Sequence, residues 1–492
     1  MVHIQILETY HSSILSRGLF QWSRFRVPSC LQDMVSQNAT SSRSHLHFYS
    51  TTFEISRKIY FFAKERKFLS MSRLLFLNLL ICGCLLSACG SGSTNNTSTS
   101  SNMSYVDDGV TVIPMNARPG DVLNLSDFAE SIELIPLETN DDCLIGWIPE
   151  IKATKNHYIL ISGVGVTDFQ HLYVYDKQGK FIRQISSRGQ GGEEFLEIRD
   201  FDMIGDSIIK MGDVYALRTF NMEGKQLSSK WIDGTLKEIV SIKGKTIMFQ
   251  AANREAESAE NILYLYDEKD VFQRRFFEVP YMASRITSFF SNPRALTRDN
   301  EFIYFHFPHN NYIYKIDAET LEYTPLYKVD FGDRAFTWDM FDEHIGHVKE
   351  WSRQREKGNN AWMCEILSLN DHFMFTSRDN EKNYFFSLYS NRTGKVLTGN
   401  RIKDDMYFRG NMIVFNSGKP GAVLGNHGND GGDLIWPVQP KVLLDGYEAY
   451  RNVLTKEKWN LFCKKYPRLV EVCEQLEDDD NPVLLKIKLK DF

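Results

Sequence analysis

LYVYDKQGKFIRQI, residues 172–185, is the stretch whose reading decides the fold. Apolar and polar residues alternate on both sides of Asp176 and Gly179, as in two half-buried strands joined by a tight turn. The Asp side chain of such a turn bonds its own backbone a few residues on, and the glycine tolerates positive φ. The pattern returns as LRTFNMEGKQLSSKW (217–231), LYLYDEKDVFQRRFF (263–277), YIYKIDAETLEYTPLYKV (312–329) and YFFSLYSNRTGKVLTG (384–399). Aligned on the turn, these give Asp176, Asn221, Asp267, Asp317 and Ser390, spaced 45, 46, 50 and 73 residues apart. A repeat of about 40–50 residues holding about four strands is a propeller blade.

The wide gap contains FTWDMFDEHIGHVKEWSRQREKGNN (336–360), which has helical spacing and reads as an insertion within one blade. A second helical run, 445–477, is broken at Pro467 and decorates the last blade. The final strand-like stretch, NPVLLKIKLKDF (481–492), and the orphan strand SIELIPLET (131–139) supply a sixth blade. Its closure by both chain ends removes an open sheet edge. The expected fold is therefore all-β, a six-bladed β-propeller over residues 120–492 with helical insertions near 336–360 and 445–477.

Residues 71–104 carry a different signal. Arg73 precedes an apolar run, Leu74 to Leu85, that is short for a membrane span. Leu86-Ser87-Ala88-Cys89 then matches a bacterial lipobox, and a Ser/Thr/Asn/Gly-rich stretch follows. The expected organisation is a signal peptide over 71–88, then a lipidated Cys89 with a flexible tether over 89–119. Met71 is the expected start, because a signal peptide must be N-terminal to be used. Residues 1–70, without sustained periodicity, are expected to be an unstructured upstream extension. Gly90 is not the Asp that retains such proteins at the inner membrane. The expected location is the outer membrane, lipid-anchored and facing the periplasm, with the cell surface as the alternative.

From residue 120 onward the chain resembles the six-bladed β-propeller lipoproteins of Bacteroides-type bacteria, which are related in fold to the NHL repeat. The resemblance rests on IPLETNDDCLIG (135–146), LYVYDKQGKFIRQISSRGQGGEEF (172–195) and DDDNPVLLKIKLK (478–490). Where the family usually has Gly-Gln-Gly-Pro-Gly-Glu-Tyr, this chain has Gly-Gln-Gly-Gly-Glu-Glu-Phe. The resemblance implies a fold and an envelope location and carries little chemistry.

Charge narrows the partners. Net charge is −6, and residues 1–88 hold 10 Lys/Arg against 4 Asp/Glu, so the remainder is more acidic still. Such a body lacks the clustered cations that nucleic acid requires. The glycine-rich SSRGQGGEEFLEI (186–198) leads into a strand pattern, and residue 194 is Glu where a phosphate-binding fingerprint needs glycine. It is read as a blade-to-blade loop whose glycines take positive φ or permit close approach, with no nucleotide bound. KGKT (243–246) reads as a hairpin turn. GNHGNDGGDL (425–434) offers Asn426, Asp430 and Asp433 to calcium but lacks the closing acid, and reads as a long surface loop. The eight cysteines show no zinc spacing, and Cys463 and Cys473 are read as separate buried thiols rather than a pair. No cofactor and no metal is expected.

The function expected from this is non-catalytic: a propeller face that binds an unidentified ligand or envelope protein, in a glycan-utilisation or envelope system by analogy with the family's setting. The alternative is a propeller enzyme, a polysaccharide lyase or a metal-dependent lyase or hydrolase, acting at the channel mouth. A scaffold docking through its helical additions is a third reading. The candidate ligand-face residues are Arg188, Glu193, Arg199, Asp200, Arg294, His306 and His309, expected because propeller ligands sit where loops of successive blades converge on the axis. Labelled palmitate should enter the protein in its native host and be lost in Cys89→Ala; unchanged labelling would contradict the lipobox reading.

Overall fold

The computed structural model describes residues 100–492 except 165–168, 190, 192–193, 233, 252–259, 281–293, 308, 338–352, 354–358, 410–412 and 417–426. Cys89 and the expected signal peptide lie outside the described residues. Blade 1 comprises Trp147–Ala153, His157–Val164, Phe169–Asp176 and Phe181–Gln184. Blade 2 comprises Ile198–Ile204, Ile208–Asp213, Ala216–Asn221 and Gln226–Trp231. Thr235–Ile242, Lys245–Ala251, Glu260–Tyr266 and Phe272–Val279 form blade 3. Leu296–Arg298, Phe302–His306, Tyr312–Asp317 and Tyr323–Asp330 form the body of blade 4. Blade 5 is built on Ala361–Leu369, His372–Asp379, Tyr384–Ser390 and Lys395–Gly399.

Blade 6 takes Gly428–Asp430, Asp433–Val438 and Val483–Leu489 from the C-terminal part, and its outermost strand, Ala129–Pro136, from the N-terminal part. Leu484 stands opposite Ile135 and Ile487 opposite Ile132, so the two chain ends lock the ring as the sequence suggests. The first strand of every blade touches the first strand of the next, and the circuit closes from blade 6 to blade 1. The protein is a six-bladed β-propeller.

The repeated hairpins owe their turns to the residues singled out in the sequence. Asp176 Oδ1 accepts from the amides of Gln178 and Lys180, each at 2.9 Å. Asn221, Asp267 and Asp317 accept from amides two to four residues on in the same way. Gly179, Gly224 and Gly394 supply the positive φ, at 84°, 82° and 71°. The apolar side chains of these strands fill six buried clusters, one at each blade-to-blade interface. Sheets packed face to face around a ring need this filling, because burying their apolar faces is what excludes water between them.

After the single turn α1 (Leu125–Phe128), three helices sit between the second and third strands of blade 6: α2 (Pro440–Val453), α3 (Lys456–Lys465) and α4 (Pro467–Gln475). Proline opens α2 and α4, and Thr455 caps α3 by accepting from the Lys458 amide. Leu443, Tyr447 and Tyr450 lie on one face of α2 and pack with Phe462, Leu469 and Val472 against Phe408 and Trp436. Cys463 and Cys473 are free thiols.

Two boundaries differ from expectation. Residues expected in the flexible tether form strands: Ser100–Met103 pairs with the outer strand of blade 5, and Val110–Pro114 pairs in parallel with the outer strand of blade 4. The alternation in VTVIP suits a strand, and pairing covers two exposed sheet edges. The segment 336–360 falls between the last strand of blade 4 and the first strand of blade 5, not within a blade. Most of it lies outside the described residues.

Val483, Leu484, Leu485 and Ile487 are at most 1% exposed. At about 1.5–3 kcal/mol per buried aliphatic side chain, their loss costs about 6–12 kcal/mol, comparable with the whole stability of a domain. Truncation after Asp480 should therefore abolish the cooperative calorimetric transition of the entire propeller. A truncated chain that melts at the parental temperature would contradict ring closure.

Candidate functional site

A cavity of 710 Å³ runs along the propeller axis, and ionisable side chains from all six blades line it. The local cause is a repeated backbone irregularity. In blades 1, 2, 3 and 5 the register of the first strand shifts immediately before an acid: Glu150, Asp200, Glu238 and Glu365. A bulge adds a residue to one strand and re-aims the next side chain. Arg294 and His427, just ahead of the first strands of blades 4 and 6, complete a circle with one ionisable residue from each blade.

These groups are tied to one another and to the neighbouring blade. Asp200 accepts from the Phe201 amide with one oxygen and from the Ile239 amide of blade 3 with the other, both at 2.8 Å. Asp202 accepts from the Ser241 amide at 2.6 Å. Both Glu238 oxygens accept from Ala295, and one also from Leu296 of blade 4, at 2.7–2.9 Å. Lys152 sits 3.7–3.9 Å from Asp202, Asp200 and Glu150. Arg294 reaches across the axis, where it pairs with Glu150 at 2.9 Å and donates to the carbonyls of His427 and Pro149. Arg298 pairs with Asp202 at 3.2 Å.

Burial sets the protonation of the circle. It raises the Asp200 carboxyl to about 7 against the pull of Lys152, and it holds Glu238 well above the usual carboxylate range with Asp200 adding repulsion. Glu365 is raised by burial and opposed by Arg294. Burial also opposes ionisation of Asp202, but Lys152 and Arg298 outweigh it and keep that group below its ordinary value. His427 is pushed down to about 3 by burial and by Arg294, and neither ring nitrogen has a hydrogen-bond partner among the described residues. Among the described residues, no group of three or more His, Cys, Asp and Glu is placed to hold a metal ion.

Of the residues proposed from sequence, Arg199, Asp200 and Arg294 line the cavity. Arg188 is exposed on the loop between blades 1 and 2, and Glu193 lies outside the described residues. His306 and His309 do not line the cavity. The His306 ring is buried, with its nitrogens facing the Tyr312 and Met363 carbonyls at 3.3 and 3.4 Å, and burial pushes it down to about 4. His309 packs on Phe336 and Trp362. Both imidazoles are packing residues between blades 4 and 5. Sequence reasoning missed Glu150, Lys152, Asp202, Glu238, Glu365 and His427. A signal existed in the recurrence of an apolar residue, any residue, an acid and an apolar residue as IPEI, IRDF, LKEI and MCEI.

The glycine-rich loop joins the last strand of blade 1 to the first strand of blade 2, Ile198–Ile204, and no helix follows it. Phe195 anchors it in the core between the two blades. Gly189 and Gly191 do not take positive φ. A Cβ on Gly189 would overlap the Glu194 carboxylate, which accepts from the Gly191 amide at 2.7 Å. The glycines give room to a side chain rather than a left-handed turn. KGKT is the hairpin turn of blade 3. Asp430 and Asp433 flank a tight inner turn of blade 6, not a long loop, and Lys486 reaches both, with Lys177 also on Asp430. Asn426 lies outside the described residues.

A six-bladed ring with an ionisable axis is thus the class that fold and site define. Residues 110–488 match a family described as a domain of unknown function, DUF4934, and the chain belongs to that family. In structure it is similar to a Bacteroides fragilis protein described as exported, at 15% identity and a TM-score of 0.54 over 77% of this chain and 100% of that one. A member of the DUF4221 family from Bacteroides vulgatus aligns at 9% identity and a TM-score of 0.42, over 74% of this chain and 98% of that one. No curated protein matches the sequence.

A carboxyl raised in the folded state keeps its proton after the unfolded chain has released its own. The stability it contributes is full below the unfolded value, 3.8 for Asp200, and is lost as pH rises toward about 7. One such group gives a slope of at most about 1.4 kcal/mol per pH unit. Asp200→Asn should flatten the decline in stability across that window, measured by urea unfolding at several pH values. An unchanged slope would contradict the assigned protonation.

Proposed function

We propose that this chain is an exported, lipid-anchored propeller of the bacterial envelope that binds a polar ligand in its axial cavity. The observation that carries the reading is the 710 Å³ cavity lined by fixed charges of both signs. Its size suits a small molecule, and convergent polar groups give such a site orientation and specificity. The carboxylates that a hydrolase would use as nucleophile or base are already accepting from backbone amides at Asp200 and Glu238. That arrangement favours holding a ligand over attacking one.

The envelope location is supported by the lipobox at Cys89 and by the shared fold of a Bacteroides fragilis protein described as exported. Among the described residues, no helix is long and apolar enough to cross a membrane. The attachment that the lipobox implies is a lipid at Cys89. Membership of the lipoprotein propellers, an outer-membrane position and a role in glycan utilisation belong to this proposal. The enzyme reading has one observation in its favour, the Asp200 carboxyl raised to about 7 beside Lys152.

Arg199 lines the cavity and is paired only with Glu197 among the ion pairs of the described residues. Calorimetric titration of the full chain with neutral oligosaccharides, acidic oligosaccharides and short peptides should find saturable binding in at least one class. Arg199→Ala should weaken that binding by at least about tenfold, as expected for one charge-assisted hydrogen bond, with the melting temperature unchanged. Turnover of the bound molecule would favour the enzyme reading, and no binding in any class would contradict the proposal.

A further inference from the structure

Trp147 opens the first strand of blade 1, lines the axial cavity, and is 42% exposed. It places a large aromatic surface at the wall of a polar cavity. Its seat is built. Trp147 stands directly opposite Gly163 on the next strand, and a Cβ at Gly163 would overlap the indole. The strand is irregular between Trp147 and Glu150, and Pro149 falls inside that irregularity. A bulge re-aims its flanking side chains, and proline is tolerated there because it has no ladder hydrogen bond to give. The glycine, the bulge and the proline together lay the ring against backbone and leave the rest of it open.

We propose that Trp147 is the stacking platform for a neutral sugar ring at one wall of the cavity, which rests on the ligand-binding reading above and names its ligand class. A pyranose has an apolar face of C–H groups and a rim of hydroxyls that both donate and accept. The indole meets the apolar face through its electron-rich π-surface. In the same cavity Arg199 offers the hydroxyls a donor and Glu150 an acceptor. Lys152, Arg294, Arg298 and Arg199 already have carboxylate partners, so a uronic acid or a phosphate would have to displace an existing ion pair. A neutral saccharide fits this balance.

The test uses the full chain, titrated with maltotriose, cellotriose and chitotriose by calorimetry and by intrinsic fluorescence. At least one should bind saturably, Trp147→Ala should weaken it at least tenfold, and Trp147→Phe should retain part of the affinity. The ligand-induced fluorescence change should vanish in Trp147→Phe. A purely structural indole covering Gly163 would lower the melting temperature of Trp147→Ala while leaving affinity intact, and that result overturns the proposal. Trp231, 77% exposed on blade 2 and stacked on Tyr215 away from the cavity, is the control, and loss of binding only in Trp231→Ala also overturns it. Binding of peptides or acidic oligosaccharides alone overturns the sugar assignment while the cavity's ligand-binding role stands. Absence of binding in every class overturns both.

Discussion

The innermost strand of a propeller blade is a sheet edge, with no further strand beyond it toward the axis, and its free amides must find acceptors. This protein supplies them from the preceding blade. Gln170 of blade 1 accepts from the Ile198 amide of blade 2 at 2.7 Å. Asp200 and Asp202 serve Ile239 and Ser241 of blade 3, and Glu238 serves Ala295 and Leu296 of blade 4. Thr297 continues the series to Ser368 of blade 5 at 3.1 Å. Each link joins neighbouring blades at the axis, as the apolar clusters join them further out. Each such link contributes about 0.5–1.5 kcal/mol where the acceptor is neutral and about 1.5–3 kcal/mol where it is charged.

The chemistry of the cavity follows from that constraint. Carboxylates recruited as acceptors have to be buried, and burial raises Asp200, Glu238 and Glu365 toward protonation. Buried acids in turn need cations, which explains Lys152 amid three carboxylates and Arg294 reaching over the axis. A ligand entering the axis meets a wall of donors and acceptors that is already fixed in place. Preorganisation of this kind lowers the ordering cost of binding.

The blade repeat was legible in the sequence because its turn residues act locally: Asp176, Asn221, Asp267 and Asp317 bond amides within four residues. Ring closure was legible because strands at both chain ends lacked partners of their own. The cavity was harder. Arg199, Asp200 and Arg294 were found by their place in loops between blades, but His306 and His309 looked alike by that criterion. Only burial between blades 4 and 5 separates them, and burial between distant segments leaves no local mark. The acids at Glu150, Glu238 and Glu365 do leave a mark, a short motif after a bulge, yet it emerges only once the first strands are aligned. Ser100–Met103 left no local signal because its partner strand lies more than two hundred residues away, whereas Tyr105–Asp107 and Val110–Pro114 pair locally as a hairpin across Asp108-Gly109, a turn signal that the sequence reading passed over.

Amide hydrogen exchange resolved by residue tests most directly whether the axial acids hold the ring together. The amides of Ile239, Ser241, Ala295 and Leu296 should exchange as slowly as the strand cores, and Glu238→Gln should accelerate Ala295 and Leu296 before any other site. Rapid exchange at these four amides in the unaltered protein would show that water, not the neighbouring blade, satisfies them, and would contradict the account.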